Sequence, residues 1–472
     1  MSTHSQAITE ADPKRWKALA LLGFANFMVM MDSAIIQVAL PSIKETLGYT
    51  QQNLQWVMTA FLIFFGGLLL LGGRLSDLFG HRRIFMWGFS ILTLASLLAG
   101  LAWDDSILNV SRAIQGTGSA LIAPSALSIV MLLFAANPKE LSKALAIWGL
   151  SGAAGGSIGM ILGGILTEFL SWRWALLIYV PIGIIILLFS PWVLRKGTRT
   201  NVSIDYSGGI SVTAALVLIV YGISTAERNG WSSSSTVWTL IIGTVLFILF
   251  IVIQVVKKEP LVPFRIFRTK NLTIGNIALI FLSISWVSIL YFLVLYIQQV
   301  LKFTPFSAAM ALLPAPLLIA VIMLAVASKM MEKLGLKVTM FIGFIILGSS
   351  GLLFSLNTPV NGDYFSHILL ALLLAGLGNA LAYLPATAAA ISGAEKEESG
   401  LASGLYNTTY QIGSAIGLAI MALIAGATTS SSTAGEYLTA LNEGFQQAFF
   451  WSGIAAFAGA ILALLFVRTS KQ

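Results

Sequence analysis

Apolar runs of about 20 residues, separated by short polar connections, recur along nearly the whole chain, and each is long enough to cross a bilayer as a helix. A window of that length marks fourteen of them: 18–40, 54–72, 84–102, 107–134, 144–166, 175–194, 208–226, 236–256, 272–298, 306–327, 338–356, 367–391, 401–427 and 446–467. The longest connections on one side, 195–207 and 257–271, bracket spans 7 and 8. The pattern predicts an all-α polytopic membrane protein with 14 transmembrane helices. They divide into a six-helix bundle (1–200), two inserted helices with their linkers (201–258) and a second six-helix bundle (259–472).

An internal repeat points the same way. Gly73 to Arg82 (GRLSDLFGHR) follows span 2, and Ser328 to Lys337 (SKMMEKLGLK) follows the second span of the last six. In each, an acid precedes a glycine by three residues and a base follows that glycine by two. Two related bundles around a midplane cavity is a common transporter plan.

Composition narrows the class. The 472 residues are 57% hydrophobic and only 10% charged, where a soluble chain carries about 25% charged residues. The net charge of +8 is not a nucleic-acid patch, because the basic residues sit in short loops between spans. Of 27 Lys and Arg, only Lys44, Arg173, Arg228 and Lys302 fall on one side and Arg112 falls inside a span; the other 22 lie on the opposite side. That bias places both termini in the cytoplasm and the protein, multi-pass, in the cell (inner) membrane. The basic Lys14-Arg15-Trp16-Lys17 is followed by an apolar run too long for a cleaved signal, so it should remain as the first span. There is no cysteine, and His4, His81 and His367 all lie outside the spans, so neither a metal site nor a cofactor is expected. No G-x-x-x-x-G-K-(S/T) loop is present to drive a pump with ATP.

Two charges remain inside hydrocarbon, where ionisable groups are costly and usually functional. Asp32 lies about 14 residues into span 1, or roughly 21 Å above its inner edge; Arg112 lies about 5 residues into span 4 from the other side, at roughly 22 Å. Equal depth makes them candidates for one site. The alternatives are that Asp32 snorkels to headgroups and Arg112 only pins backbone carbonyls.

Four stretches together resemble the major facilitator superfamily, and within it the fourteen-span drug:proton antiporters. Gly73 to Arg83 (GRLSDLFGHRR) is similar to that family's loop 2–3 signature, and Leu108 to Ala120 (LNVSRAIQGTGSA) to its span 4 signature. Met31 to Pro41 (MDSAIIQVALP) resembles L-D-x-T-I-V-N-V-A-L-P, and Trp172-Arg173-Trp174 with Tyr179 to Gly183 resembles W-R-W…N-V-P-I-G. Span 5 departs from the antiporter pattern, with Met160 where the family has proline, and Ala34, Gln37 and Tyr179 replace the usual Thr, Asn and Asn. A span 5 without that proline should be less kinked.

The resemblance implies a proton-coupled secondary multidrug efflux transporter, exporting lipophilic, often cationic compounds by alternating access. The alternative is an exporter of a defined solute or lipid, not strictly coupled to protons. In that family spans 1 and 4 line the cavity, so Asp32 and Arg112 become the proton and cation coupling pair. Loop 2–3 (Gly73, Arg74, Asp77, Gly80, Arg82, Arg83) becomes a latch between the halves. Polar and aromatic positions at helical spacing are candidate substrate contacts: Asn26, Met30, Gln37 and Gln115 in the first half, and Trp286, Tyr291, Gln298, Asn379, Tyr383, Asn407, Tyr410 and Gln411 in the second. Gly152, Gly156, Gly159, Gly163 and Gly164 give G-x-x-x-G spacings that let helices approach closely, and the resemblance puts span 5 against the other half. The expected partners are lipophilic small molecules, protons and the bilayer; no nucleic acid is expected, and the chain should act as a monomer and not as an enzyme.

Overall fold

The computed structural model describes residues 14–195, 205–392, 399–429 and 437–468, and among these every regular element is helical. The first six long helices are α1 (Arg15–Leu47), α2 (Trp56–Phe79), α3 (His81–Gly100), α4 (Asp105–Phe134), α5 (Pro138–Phe169) and α6 (Tyr179–Val193). Next come α7 (Tyr206–Asn229) and α8 (Ser234–Val256). The remainder are α9 (Lys270–Leu295), α10 (Pro305–Leu312), α11 (Pro314–Ile322), α12 (Ser328–Asn357), α13 (Leu370–Ile391), α14 (Ser399–Thr429) and α15 (Tyr437–Phe466). Local chemistry sets the ends. Asp104 caps α4 by accepting from Ile107 N–H at 2.8 Å, and Asn137 and Asp205 cap α5 and α7 in the same way. Gly48 closes α1 in the left-handed region at φ 70°, its N–H returning to Lys44 O.

Among the described residues, thirteen segments are long and apolar enough to cross a membrane, against the fourteen expected. The difference is Pro305–Asn357, a run of 53 residues that at 1.5 Å each would reach about 80 Å, more than twice the hydrocarbon core. It is broken at Gly335, which has φ 79° and ψ 164°. The polar connection expected between spans 10 and 11 is wound into helix on both sides of that single residue. Gly80, its counterpart in the repeat, has φ 93° and likewise joins α2 directly to α3. Only glycine takes these angles without strain, and the repeat keeps it at both turns.

The two sets of helices pack by one scheme. α1 lies on α5, α2 and α3 on α4, and α3 on α6; α9 lies on α14, α11 and α12 on α13, and α12 on α15. Helices α7 and α8 form a hairpin whose α7 lies across the seam between α2 and α14. Gly67 lets α2 approach Thr213 of α7, and buried Gln55 donates to Ser224 Oγ at 2.7 Å. The end of the seam near Gly80 is closed by an apolar cluster of Leu70, Leu71, Leu261, Val262, Ile266, Leu272, Ala402 and Leu405.

Candidate functional site

Asp32 on α1 and Arg112 on α4 meet in the first bundle. Arg112 Nη1 donates to Asp32 Oδ2 at 2.5 Å, and both side chains are fully enclosed. The guanidinium is held from three further directions: Nε donates to Val57 O at 2.8 Å, Nη1 also to Gln115 Oε1 at 2.9 Å, and its Cζ lies 4.6 Å from the Phe61 ring centre. Gln115 in turn donates to Ser96 Oγ at 2.7 Å, which fixes the orientation of its amide. The ion pair is one-toothed. Asp32 Oδ1 and Arg112 Nη2 are buried with no hydrogen-bond partner in the protein. An unpaired carboxylate oxygen at this depth is costly, and proton binding at Oδ1 would turn the ion pair into a neutral carboxyl bonded to a cation. The pair is sealed among α1, α2 and α4 in this conformation, so it does not front an open cavity as the sequence led us to expect.

The glycine stripe of α5 faces α1, while α5 also touches α10 and α11 of the other half. A Cβ on Gly155, Gly159 or Gly163 would meet the backbone of α1 at Phe27 O, Met31 O and Ile35 O, at 2.4, 2.9 and 2.5 Å. The stripe therefore seats α5 on α1 within one bundle. Gly152 is beside Asn26 and Met30, Gly156 faces open space, and only Gly164 meets the other half, at Pro305, Phe306 and Ala309. Met160 is buried, and α5 runs unbroken from Pro138 to Phe169.

The remaining candidates separate into packing groups. Asn26 donates to Trp148 O at 3.0 Å and to Ser151 Oγ at 3.3 Å, joining α1 to α5. Gln37 is buried on α1, and Tyr291 is buried with an unpartnered hydroxyl. Gln298 donates to Val38 O at 2.9 Å across the two halves. Tyr383 and Tyr410 stand edge to face at 5.7 Å, and Asn379, also buried, leaves Nδ2 unpartnered. Asn407 bonds within its own helix to Ser403 O, Gln411 lies against Gly66 of α2, and Trp286 is half-buried against the core. Among the described residues no hydrogen bond links the Asp32–Arg112 pair to the candidates of the second half. In loop 2–3, Ser76 Oγ meets His81 Nδ1 at 2.6 Å, Gly73 lies near Pro124, Arg74 and Asp77 are half-buried, Arg83 is exposed, and Arg82 borders a cavity within the first bundle.

Sequence reasoning missed two acids. Glu168 Oε2 accepts from Phe306 N–H at 2.8 Å, so the end of α5 is tied to the N-terminus of α10 at the same end of the molecule as Gln298. Asp205 accepts from Gly208 N–H, Ser207 Oγ and Lys257 Nζ through Oδ1 and from Gln254 Nε2 and Leu261 N–H through Oδ2. Burial alone would raise its pKa, but these donors, Lys257 first, hold its carboxyl far below the usual range. It fastens both ends of the α7–α8 hairpin to the segment leading into α9. Both acids read as loop-edge charges in the sequence, and the donors Lys257, Gln254, Leu261 N–H and Phe306 N–H lie far away along the chain.

The profile of the Major Facilitator Superfamily matches residues 22–418. The chain is 37% identical over 452 residues to the cephamycin export protein CmcT of Amycolatopsis lactamdurans, covering 95% of this chain and 91% of that one. It is 34% identical over 433 residues to the puromycin resistance protein pur8 of Streptomyces alboniger, covering 90% and 85%. Among solved structures, a bacterial homolog of the human lysosomal transporter Spinster, inward-facing and unoccupied, superposes with a TM-score of 0.70 at 14% identity, covering 97% of each chain.

Proposed function

The chain belongs to the major facilitator superfamily, as a multi-pass membrane transporter and not an enzyme, and from that premise we propose that it is a proton-coupled antiporter that expels drug-like molecules. Asp32 is the coupling carboxylate and Arg112 its counter-ion. The observation that carries this reading is the one-toothed buried pair with Asp32 Oδ1 unpartnered. A proton arriving at Oδ1 weakens the hold of Asp32 on Arg112, and α1, α2 and α4 are free to repack; loss of the proton restores the pair. In this reading the two bundles, 1–200 and 259–472, rock about the site. The 53-residue run counts as two spans hinged at Gly335, giving fourteen with both termini cytoplasmic in the inner membrane. The ties at Gln298 and Glu168 then close the outer side in the conformation described, and the protein works as a monomer.

A second reading has a specific support: both relatives above are named for a single antibiotic. In that case the substrate is one defined solute, and the Tyr383–Tyr410 pair with Asn379 recognises it. The test is efflux from inverted vesicles under an imposed pH gradient, with lipophilic cation dyes and a panel of antibiotics, in wild type and Asp32→Asn. Gradient-driven transport that disappears in Asp32→Asn while substrate binding persists supports the coupling role. Undiminished transport in Asp32→Asn overturns it. Transport of one antibiotic with no dye selects the defined-solute reading.

A further inference from the structure

Ser96 of α3 reaches the buried ion pair only through a chain of contacts. Its hydroxyl accepts from Gln115 Nε2 at 2.7 Å, and Gln115 Oε1 accepts from Arg112 Nη1 at 2.9 Å, the same nitrogen that donates to Asp32 Oδ2. Ser96 and Gln115 are both fully buried. So short a side chain reaches across because α3 and α4 nearly touch: a Cβ on Gly118 would meet Gly88 O and Leu92 N, each at 2.8 Å. Leu92 and Gly118 lie one helical turn from Ser96 and Gln115.

The two ends of the Gln115 amide act on Arg112 in opposite ways. Its oxygen accepts from the guanidinium, whereas its NH2 group can only donate and would repel it. While the oxygen occupies one hydrogen of Nη1, the cation is partly satisfied without Asp32. Among the described residues Ser96 Oγ is the acceptor that holds Gln115 Nε2 away from Arg112. Without that hydroxyl a buried NH2 group is left unpaired, so the amide turns or withdraws. A withdrawn amide leaves the guanidinium more dependent on the carboxylate, and a turned one presents N–H groups to that side. Both favour ionised Asp32. We propose that Ser96 is a positioning residue: by fixing the Gln115 amide with its oxygen on Arg112, it sets the pH at which Asp32 exchanges its proton. The proposal rests on the coupling role assigned to Asp32 above.

Few other titratable groups face the pair. Tyr179 of α6 donates to Met28 O at 3.4 Å, and Tyr49, beyond α1, donates to Asp105 O and Asn109 Oδ1. Asp104 and Asp105 stand at the start of α4, while α2, α3 and α5 carry their charged residues only near their ends. Among the described residues none of these groups hydrogen-bonds to Ser96 or Gln115, so the effect of the serine passes through the amide.

The test follows the carboxylic-acid stretch of the purified full-length protein by infrared spectroscopy against pH, the band lost in Asp32→Asn being that of Asp32. Ser96→Ala should move the midpoint of this band to lower pH by roughly 0.5–1 unit, the leverage of one neutral hydrogen bond. Gln115→Met should move it the same way, and Ser96→Ala/Gln115→Met no further than Gln115→Met alone, because the two residues act in series. Ser96→Val against Ser96→Thr, matched in shape, repeats the comparison with the space filled: Val should shift the midpoint and Thr should not. An unmoved midpoint in Ser96→Ala, a shift to higher pH, or shifts that add in the double variant would overturn the role of Ser96 and leave the coupling role of Asp32 standing. If no titrating band disappears in Asp32→Asn, the coupling role falls and this proposal falls with it.

Discussion

Cutting the two ties between the halves at the end opposite Gly80 should open the protein there. The Gln298 Nε2 to Val38 O bond is buried and 2.9 Å long, worth about 1 kcal/mol net. The Glu168 bond to Phe306 N–H is 2.8 Å and gains from the N-terminus of α10, but Glu168 is exposed, and screening holds it to about 1 kcal/mol. Glu168→Ala/Gln298→Ala therefore shifts the closed-to-open ratio by about 2 kcal/mol, roughly 30-fold. If about 1% of wild type is open, the variant should be open in roughly a quarter of molecules. The natural chain has no cysteine, so Leu170→Cys and Lys302→Cys take a spin-label pair cleanly across this end. Electron–electron distance measurements should show a second, longer population in the double variant. A distribution identical to that of wild type would refute the reasoning and leave closure to the contact of Gly164 with Phe306 and Ala309.

Three further outcomes follow from the same geometry. Gly163→Ala drives a Cβ to 2.5 Å from Ile35 O and should cost about 1–3 kcal/mol, read as a lower unfolding temperature in detergent, whereas Gly156→Ala meets nothing and should leave it unchanged. Arg112→Lys keeps the charge but cannot reach Val57 O, Asp32 and Gln115 at once, so gradient-driven efflux should fall at least tenfold; equal efflux would mean that charge alone suffices. Asp205→Asn should lower the unfolding temperature by a few degrees at neutral pH. Because the folded pKa of Asp205 is depressed, its contribution is present above the unfolded value of about 4 and is lost as pH falls through the folded value. The gap between wild type and Asp205→Asn should be constant from about pH 5 to 8 and narrow only in stronger acid; a gap that closed near neutrality would argue against the sign.

Much of this was legible from one dimension, and particular residues show why. Membrane spans are long apolar runs because hydrocarbon forces backbone polar groups to be satisfied within each helix, so their helical character and order need no knowledge of neighbours. Asp32 and Arg112 stood out for the same reason: a charge in an apolar run is conspicuous without any partner being known. The repeat around Gly80 and Gly335 was also visible, since a one-residue turn between helices demands glycine wherever it occurs.

Which elements meet was settled only by packing in three dimensions. Helical spacing gave the α5 glycines one face, but not that this face would seat on α1 instead of the other half; small residues permit close approach and do not choose the partner. The ten residues between spans 10 and 11, 328–337, read as a loop, and tertiary packing wound them into helix around Gly335. Asp205 and Glu168 looked like ordinary edge charges, because their donors, Lys257, Gln254 and Phe306 N–H, lie tens of residues or more away. The composition of the chain fixes that it must live in a bilayer; only the folded contacts fix that Asp32 is left one oxygen short, since hydrogen-bond satisfaction is a property of distances and not of sequence.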